Sequence, residues 1–187
     1  MDVRHLGLPG LLLLRPRRFA DGRGHFVETY NEQTLAGVGI TARFVQDNQS
    51  YSRNSGTIRG LHFQVPPAAQ AKLVRVVRGS VYDVALDVRA GSPAYGRWEG
   101  TRLTADEGEQ LFVPRGFAHG FCTLEPDTVV AYKVDAFYAA ASDSGLIWND
   151  PMLAIDWPVR SDQAVLSDKD LRLGRFDGFE SPFRYEG

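Results

Sequence analysis

The sequence is poor in the side chains that most often build disulfide or metal frameworks. It contains one cysteine, Cys122, and four histidines, His5, His25, His62 and His119. A single cysteine excludes a disulfide within the chain and any CxxC zinc or redox motif, and we expect Cys122 to be a packed core thiol. Four histidines leave open a metal site or a general base, so their surroundings in the sequence decide between these chemistries.

The sequence also lacks a strong net charge and a long apolar run. Its formal net charge is −2, which provides no basic field for nucleic acid or for an anionic membrane surface. The longest aliphatic run, Leu11–Leu14, is far shorter than the roughly 18 apolar residues of a transmembrane helix. No basic-then-apolar signal segment opens the chain, so we expect a cytoplasmic protein with no nucleic-acid or membrane partner.

What the 187 residues do contain is typical of one β-rich globular domain. Hydrophobic residues make up 43% of the chain and charged residues 24%, which is sufficient for a real core. Nineteen glycines and ten prolines separate short stretches of period-two alternation, and no βαβ alternation occurs. We predict a single domain over residues 1–187, with its core at about 10–173 and a surface tail at 174–187.

Local patterns predict strands throughout the core and very little helix. The predicted strands are Gly10–Arg15, His25–Tyr30, Ala42–Ser50, Thr57–Gln64, Leu73–Arg78, Val81–Val88, Gly96–Leu103, Gln110–Pro114, Gly120–Leu124 and Thr128–Asp135. Alternation in the sixth of these places Asp83 and Asp87 on the face opposite the apolar side chains. Gly79-Ser80 is predicted as a two-residue hairpin turn between the fifth and sixth strands. Helical patterns are limited to Asn31–Ala36 and a turn or two after Ser167.

Two spacings narrow the fold to a cupin barrel. The segment Gly108–His119 has the spacing Gly-x5-Pro-x-Gly-x2-His, which matches most of the second cupin signature. A Pro–Gly turn there joins two strands and directs the histidine into the barrel. The segment Gly56–His62 matches the start of the first signature, Gly-x5-His. We therefore predict an all-β, cupin-type jelly-roll barrel of two antiparallel sheets with a few short helices.

The same signatures depart from the metal-binding pattern at two positions. A mononuclear cupin site uses three histidines and a carboxylate, but here Gln64 replaces the second histidine and Lys72 stands in the glutamate position. A protonated lysine repels a divalent ion and cannot coordinate it. We predict no metal. His62 and His119 then either have structural roles in a metal-free barrel or act as acid–base side chains where a metal would otherwise work.

A series of short motifs runs in one order from about Phe19 to Asp170. They are Asp21-x-Arg23-Gly24-x-Phe26-x-Glu28, Phe44–Asn48, Arg59–Gln64, Lys72–Arg75, Pro114-x-Gly116–Phe121, Tyr132-Lys133, Ile147–Pro151 and Leu166-Ser167-x-Lys169-Asp170. Together they resemble the dTDP-4-dehydrorhamnose 3,5-epimerase family. The resemblance implies an enzyme without a cofactor that inverts C3 and C5 of a dTDP-linked 4-keto-6-deoxyhexose. Each inversion needs a base, stabilisation of the enolate at O4, and protonation from the opposite face.

The resemblance assigns four catalytic residues. It implies His62 as the base, Asp170 as the carboxylate partner of His62, Tyr132 as the acid and Lys72 as the partner of the enolate oxygen. The residues alone allow plainer roles: a histidine bonded to a backbone carbonyl, a core tyrosine, and a solvated strand lysine. Ser167-x-x-Asp170 also matches a helix capping box, and Asp168 is a neighbouring carboxylate that spacing does not exclude.

The resemblance also implies a set of substrate-binding residues. Arg23 and Arg59 suit the diphosphate, although both also fit ordinary surface ion pairs. The remaining members are Glu28, Gln46 and Asn48 for the nucleoside, Phe19 or Phe26 for stacking on the base, His119 near the sugar, Tyr138 and Lys169 near the nucleotide, and Asp143 in a loop over Tyr138–Leu146. Family members are homodimers in which N-terminal strands cross to the partner, so we expect a homodimer with strand exchange.

Three other functions remain to be weighed. A relative that inverts only C3 or only C5 would keep the same base, carboxylate and lysine, and the retained Tyr132 favours double inversion. A non-catalytic cupin that binds a nucleotide sugar would have lost the base or its carboxylate partner. A metal-dependent cupin dioxygenase or isomerase is disfavoured by Gln64 and Lys72.

Overall fold

A computed structural model describes residues 1–186, and strands dominate it. Its strands in chain order are β1 Asp2–His5, β2 Leu12–Arg15, β3 Arg18–Asp21, β4 Gly24–Val27, β5 Gln46–Ser52, β6 Ile58–Gln64, β7 Lys72–Arg78, β8 Ser80–Asp87, β9 Trp98–Thr104, β10 Gln110–Val113, β11 Phe117–Thr123, β12 Thr128–Val134 and β13 Asp143–Gly145. The helices are α1 Glu32–Ala36 and two 3₁₀ turns, Ala140–Ser142 and Asp170–Arg172. No helix among these residues is long and apolar enough to cross a membrane.

The strands form two antiparallel sheets and a separate hairpin. The larger sheet has six strands in the order β1-β2-β10-β7-β12-β5, and the smaller has five in the order β13-β6-β11-β8-β9. Strands β3 and β4 pair only with each other. This arrangement confirms the predicted all-β jelly roll of two antiparallel sheets.

The main core lies between the two sheets. Val74, Leu111 and Val130 of the six-stranded sheet pack with Ala85 and Phe121 of the five-stranded sheet. Period-two alternation points these side chains inward, because successive residues of a strand face opposite sides of its sheet. The two sheets are therefore held face to face, and residues from both can line a common cavity.

A second apolar cluster covers the five-stranded sheet and includes the C-terminal segment. Trp148, Trp157 and Phe183 pack with the side chains of that sheet, among them Cys122. Phe183 is buried, and its ring centroid lies 5.7 Å from that of Phe63. The segment after residue 174 was expected to lie on the surface, but its aromatic residues complete this cluster. The expectation that Cys122 is a core thiol is confirmed, since its side chain is fully buried.

The predicted hairpin at Gly79-Ser80 is wrong. β7 pairs with β10 and β12, whereas β8 pairs with β9 and β11, so the chain crosses from one sheet to the other at this point. Gly79 has a φ of +78°, a left-handed conformation that glycine adopts without steric cost. The local sequence of a sheet-crossing turn resembles that of a hairpin turn, which explains the error.

The other predicted elements overlap with observed ones. The ten predicted strands correspond to ten observed strands, with ends shifted by up to four residues. The predicted first helix is α1, whose N-terminal amides of Gln33 and Thr34 donate to the side chain of Asn31 at 3.0 and 3.1 Å. The short strands β1, β3 and β13 were not predicted, since each has only three or four residues and is defined by its pairing partner.

Candidate active site

A cavity of about 270 Å³ lies between the sheets and collects most of the predicted site. Its lining residues are Ser50, Arg59, His62, Lys72, His119, Phe121, Tyr132, Ser167, Lys169 and Asp170. All four predicted catalytic residues are among them, together with the predicted binding residues Arg59, His119 and Lys169. A larger, open depression of about 870 Å³ near Gly56 and Trp157 contains none of the predicted site residues.

His62 and Asp170 form a hydrogen-bonded pair inside this cavity. Nε2 of His62 lies 2.6 Å from Oδ1 of Asp170, whose side chain is buried. A carboxylate only accepts hydrogen bonds, so Nε2 is the donor and the neutral imidazole keeps a lone pair on Nδ1. The structure thus presents a histidine that is oriented by a carboxylate and whose basic Nδ1 bonds to no other group within residues 1–186.

The position of Asp170 answers the question left by the capping-box pattern. The backbone N–H of Asp170 donates to Oγ of Ser167 at 3.1 Å, so the serine does cap this turn, while the carboxylate is directed to His62. Asp168 is exposed to solvent. Burial acts to raise the pKa of Asp170, but the hydrogen bond and charge of His62, with Ser167 and the backbone of Gly60, lower it overall. Asp170 is therefore ionised at neutral pH.

Lys72 is a buried ammonium beside this pair. Its Nζ donates to the backbone carbonyl of His62 at 3.2 Å. Burial lowers the pKa of Lys72 to about 8, and the negative charges of Asp83 and Asp143 partly oppose this shift. The plainer alternative for Lys72, a solvated strand lysine, does not fit a side chain that is only 9% exposed.

Tyr132 faces the cavity from the sheet opposite to His62. It lies on β12 of the six-stranded sheet, whereas His62 lies on β6 of the five-stranded sheet. Burial raises the pKa of the Tyr132 phenol, although the nearby Arg59 guanidinium acts to lower it. The phenol is therefore protonated at neutral pH and can donate a proton into the cavity.

His119 carries a second histidine–carboxylate pair that the sequence did not predict. Nε2 of His119 lies 2.8 Å from Oδ1 of Asp83, and both side chains are buried. His119 and His62 are directly opposite each other on the paired strands β11 and β6. The signal that pointed to Asp83 was its place on the polar face of a predicted strand, a pattern that solvent-facing residues also produce. Ser50, which lines the cavity, gave no signal at all.

Two glycines bring the histidine-bearing strands close together. A Cβ at Gly60 would lie 2.7 Å from Cα of Gly120 and 2.7 Å from the carbonyl oxygen of His119. Gly60 also has a φ of +122°, which disfavours other residues. Glycine at position 60 therefore lets β6 approach β11 closely enough to place His62 beside His119. The backbone of Gly60 also forms a hydrogen bond with Asp170.

A chain of side-chain contacts leads from the cavity to strand β5. Lys169 forms an ion pair with Asp143, and Oδ2 of Asp143 accepts a hydrogen bond from the Tyr138 hydroxyl at 3.0 Å. The Tyr138 amide donates to Oε1 of Gln46 at 2.9 Å, and Nε2 of Gln46 donates to Oδ1 of Asn48 at 2.8 Å. The prediction that Asp143 lies in a loop is wrong, because it begins β13, which pairs with β6.

The predicted residues of the β3–β4 region lie apart from the cavity in this chain. The rings of Phe19 and Phe26 are 52% and 69% exposed. Arg23 forms an exposed ion pair with Asp21 at 2.6 Å, and Glu28 accepts hydrogen bonds from Asn31 and Thr34 at the start of α1. Phe19 and Phe26 are directly opposite each other on the paired strands β3 and β4, so the hairpin presents two adjacent exposed aromatic rings.

The cavity provides acid–base groups and donors for anions. Among residues 1–186, no three His, Cys, Asp or Glu side chains are grouped so that they could hold a metal ion. What the cavity brings together is an oriented imidazole, a buried ammonium, a protonated phenol and, at its rim, Arg59 and Lys169. This set can remove a proton from carbon, stabilise an enolate and return a proton from the other side.

Comparison with known proteins identifies a family that matches most of the chain. A family model described as "dTDP-4-dehydrorhamnose 3,5-epimerase" matches residues 5–177. A curated protein of that name from Sinorhizobium fredii is 51% identical over 174 residues, which cover 91% of this chain and 87% of the relative. A crystal structure of such an enzyme from Bacillus anthracis, with TDP and PPi bound, has a TM-score of 0.91 and 53% identity, and the match covers 94% of this chain and 99% of that one.

A second solved structure includes a sugar nucleotide. The epimerase from Legionella pneumophila in complex with dTDP-4-keto-L-rhamnose has a TM-score of 0.94 and 38% sequence identity. The match covers 100% of this chain and 99% of that chain. Sequence and structure comparisons therefore agree over nearly the full length of the chain.

Proposed function

This chain belongs to the dTDP-4-dehydrorhamnose 3,5-epimerase family, and we propose that the cavity between its sheets is the site where C3 and C5 are inverted. The substrate is dTDP-4-dehydro-6-deoxyglucose and the product is dTDP-4-dehydro-L-rhamnose. The observation that carries the proposal is the placement of His62 and Tyr132 on opposing sheets of one cavity. An inversion at carbon needs a base and an acid on opposite faces of the sugar ring.

Proton removal is the task of His62. Its Nδ1 lone pair takes the proton from C3 or C5, and the C–H electron pair moves into an enolate with its negative charge on O4. The histidine becomes a cation, which Asp170 stabilises through the 2.6 Å hydrogen bond to Nε2. The lowered pKa of Asp170 supports this role, because the carboxylate stays ionised while the imidazole gains its proton.

Lys72 stabilises the enolate. An ammonium that is buried and bonded to one backbone carbonyl has N–H donors left for the O4 oxygen. In a site from which water is excluded, such a donor lowers the energy of a developing oxyanion more than it does in water. Burial also reduces the pKa of Lys72 to about 8, so its protonated form is present at neutral pH but not far above it.

Tyr132 returns the proton from the opposite face. Its phenol remains protonated at neutral pH, since burial raises its pKa. Transfer of the hydroxyl proton to the enolate carbon restores the ketone with the inverted configuration. The phenolate then regains a proton, and His62 releases the one it holds, before the second carbon reacts. The same two residues serve both carbons, because both are adjacent to the C4 ketone.

The dTDP moiety is recognised by residues at the cavity rim and along β5. Arg59 and Lys169 offer positive charge to the diphosphate. Gln46, Asn48 and Tyr138 bind the nucleoside, and their mutual hydrogen bonds hold these side chains in fixed positions. Asp143 fixes both Lys169 and Tyr138, so it acts on the substrate through them.

The functional unit is a homodimer of single-domain chains. The exposed β3–β4 hairpin supplies Phe19, Arg23 and Phe26 to the cavity of the partner, with Glu28 just after it. The support is their exposure in this chain and their absence from its own cavity lining. An arginine at the tip of such a hairpin suits the diphosphate, and an aromatic ring suits the thymine base.

Deuterium incorporation tests the proposed function. The protein is incubated with dTDP-4-dehydro-6-deoxyglucose in D₂O, with and without a chelator, and the sugar is followed by NMR. Label at both C3 and C5 is expected in either case, and the His62→Ala variant should incorporate none. Label at one carbon would instead identify a mono-epimerase. If no label enters, and wild type matches His62→Ala, the enzyme proposal is lost.

A further inference from the structure

Asp83 is a buried carboxylate whose second oxygen has no partner. Its side chain on β8 is fully buried, and Oδ1 accepts a hydrogen bond from Nε2 of His119 at 2.8 Å. Oδ2 has no hydrogen-bond partner within residues 1–186. A buried carboxylate oxygen without a donor is costly, so its retention needs a compensating role. Asp87, on the same strand, is bonded by Arg89 and Ser92 through both of its oxygens.

The buried positive charge on which Asp83 acts is that of Lys72. Lys72 lies on β7 of the six-stranded sheet, and Asp83 lies on β8 of the five-stranded sheet. Among the described residues, Lys72 forms no ion pair within 4.0 Å, and its recorded hydrogen bond goes to an uncharged carbonyl. Lys72 thus has no carboxylate partner and Asp83 keeps one unpaired oxygen, while the two charges act on each other across the core. Asp83 opposes the lowering of the Lys72 pKa that burial causes.

Other ionisable groups also face Lys72, and their charges nearly cancel. Those lining the same cavity are Arg59, His62, His119, Tyr132, Lys169 and Asp170. Asp170 is engaged by His62, and Asp143, which also acts on Lys72, is engaged by Lys169. Asp83, like Asp170, is paired with a histidine, but its second oxygen, Oδ2, is the buried carboxylate oxygen that has no hydrogen-bond partner within the described chain. Its charge is therefore the one that remains available to the ammonium.

We propose that Asp83 is a positioning residue of this site: one oxygen holds His119 toward the sugar, and its buried negative charge keeps Lys72 in the ammonium form. Because Asp83 accepts from Nε2, the neutral His119 ring keeps Nδ1 as an acceptor for a sugar hydroxyl. The effect on turnover rests on the proposed function, whereas the coupling between Asp83 and Lys72 does not.

The coupling matters because enolate stabilisation requires the protonated lysine. With its pKa at about 8, Lys72 retains its proton at neutral pH by a narrow margin. Removal of one buried negative charge is expected to raise the acid dissociation constant of Lys72 by ~10-fold. About half of the enzyme would then carry a neutral amine at pH 7, which cannot provide the positive charge for O4.

NMR titration measures the coupling directly. The chain has three lysines, Lys72, Lys133 and Lys169, so ¹³C-labelled lysine gives few side-chain signals, and Lys72 can be assigned with Lys72→Arg. Asp83→Asn removes the charge and keeps an oxygen for His119, and we expect the ~10-fold shift in it. Asp87→Asn is the matched control and should leave the Lys72 titration unchanged. An unchanged Lys72 titration in Asp83→Asn would overturn the proposal. Asp83→Ser removes the same charge without an interior amide and gives an independent measurement if the asparagine variant does not fold.

The pH profile of kcat separates a positioning role from a merely structural one. In Asp83→Asn the alkaline limb should move to lower pH by about one pH unit, the same ~10-fold change as in the titration. A purely structural role would lower the melting temperature of Asp83→Asn and leave the limb in place, which would contradict the proposal. If the wild-type protein has no epimerase activity, the proposed function fails, and the titration still decides the coupling.

Discussion

Nε2 of His62 lies 2.6 Å from Oδ1 of Asp170, although 108 residues separate them in the chain. The contact joins strand β6 to the 3₁₀ turn Asp170–Arg172, and Nδ1 of this cavity-lining histidine has no hydrogen bond to any residue of 1–186. The pair is the structural basis for treating His62 as a base, and it gives the Asp170 carboxylate a role that a substitution can test.

Asp170→Asn should reduce kcat by about 10²- to 10⁴-fold with the fold intact. An amide can donate as well as accept, so it no longer fixes the Nε2–H tautomer or stabilises the histidine cation. Steady-state kinetics measure the loss. The matched control is Asp168→Asn, because Asp168 is an exposed carboxylate two residues away and should be dispensable. Equal losses in the two variants would contradict the role given to Asp170.

The activity should fall as the pH rises above about 8, because burial lowers the pKa of Lys72 to that value. In the proposed mechanism only the ammonium stabilises the enolate, so the active form is present below this pKa and is lost as Lys72 deprotonates above it. A profile of kcat/KM from about pH 6 to 10 locates the limb. Lys133→Met, which alters a partly buried lysine paired with Asp47, should not move it. A flat profile through pH 9 would show that no group with the pKa of Lys72 governs activity.

Gly60→Ala should destabilise the protein by about 2–5 kcal/mol. The new methyl group would lie 2.7 Å from the backbone of β11, at a φ of +122°. Gly174→Ala is the control, because nothing lies within 4 Å of a Cβ there, and it should change the free energy of unfolding by less than about 0.5 kcal/mol. Chemical denaturation measures both, and equal stability of the two variants would argue against the close approach of β6 and β11.

The proposed homodimer, in which the β3–β4 hairpin of each chain reaches the cavity of its partner, predicts complementation between two defective variants. Arg23→Ala and His62→Ala should each have little activity alone. In a mixed dimer, one site has an intact cavity and an intact partner hairpin, so unfolding and refolding an equal mixture should restore about a quarter of the wild-type activity. Refolding each variant separately is the control. A mixture no more active than its components would mean that the hairpin does not serve the partner's cavity.

The sequence predicted those parts of the site whose positions follow from motifs within one or two strands. His62 and His119 came from the Gly-x5-His and Pro-x-Gly-x2-His spacings, and the structure places both in the cavity. The role of Asp170 was ambiguous, because the pattern Ser167-x-x-Asp170 fits a helix cap and does not exclude a histidine partner. In the structure Ser167 caps the turn while the carboxylate of Asp170 bonds His62. The family resemblance, and not the spacing, assigned Asp170 as the partner of His62.

What the sequence did not predict depends on packing between the two sheets. Asp83 was placed on the polar face of its strand, a pattern that does not show whether water or a buried histidine lies opposite. The crossing at Gly79 was interpreted as a hairpin because short-range turn signals carry no information about which sheet receives the next strand. Strand β13 exists only through its pairing with β6.

The most direct test of the central claim, a base and an acid on opposite faces, is the ratio of proton exchange to inversion in Tyr132→Phe. In D₂O, His62 can still remove a proton and return a deuteron to the same face, whereas phenylalanine cannot protonate the other face. The claim predicts that recovered substrate carries deuterium with its original configuration, while formation of the inverted product falls by about 10²-fold or more. If Tyr132→Phe reduces exchange and inversion by the same factor, or leaves inversion unchanged, the assignment of the two faces is wrong.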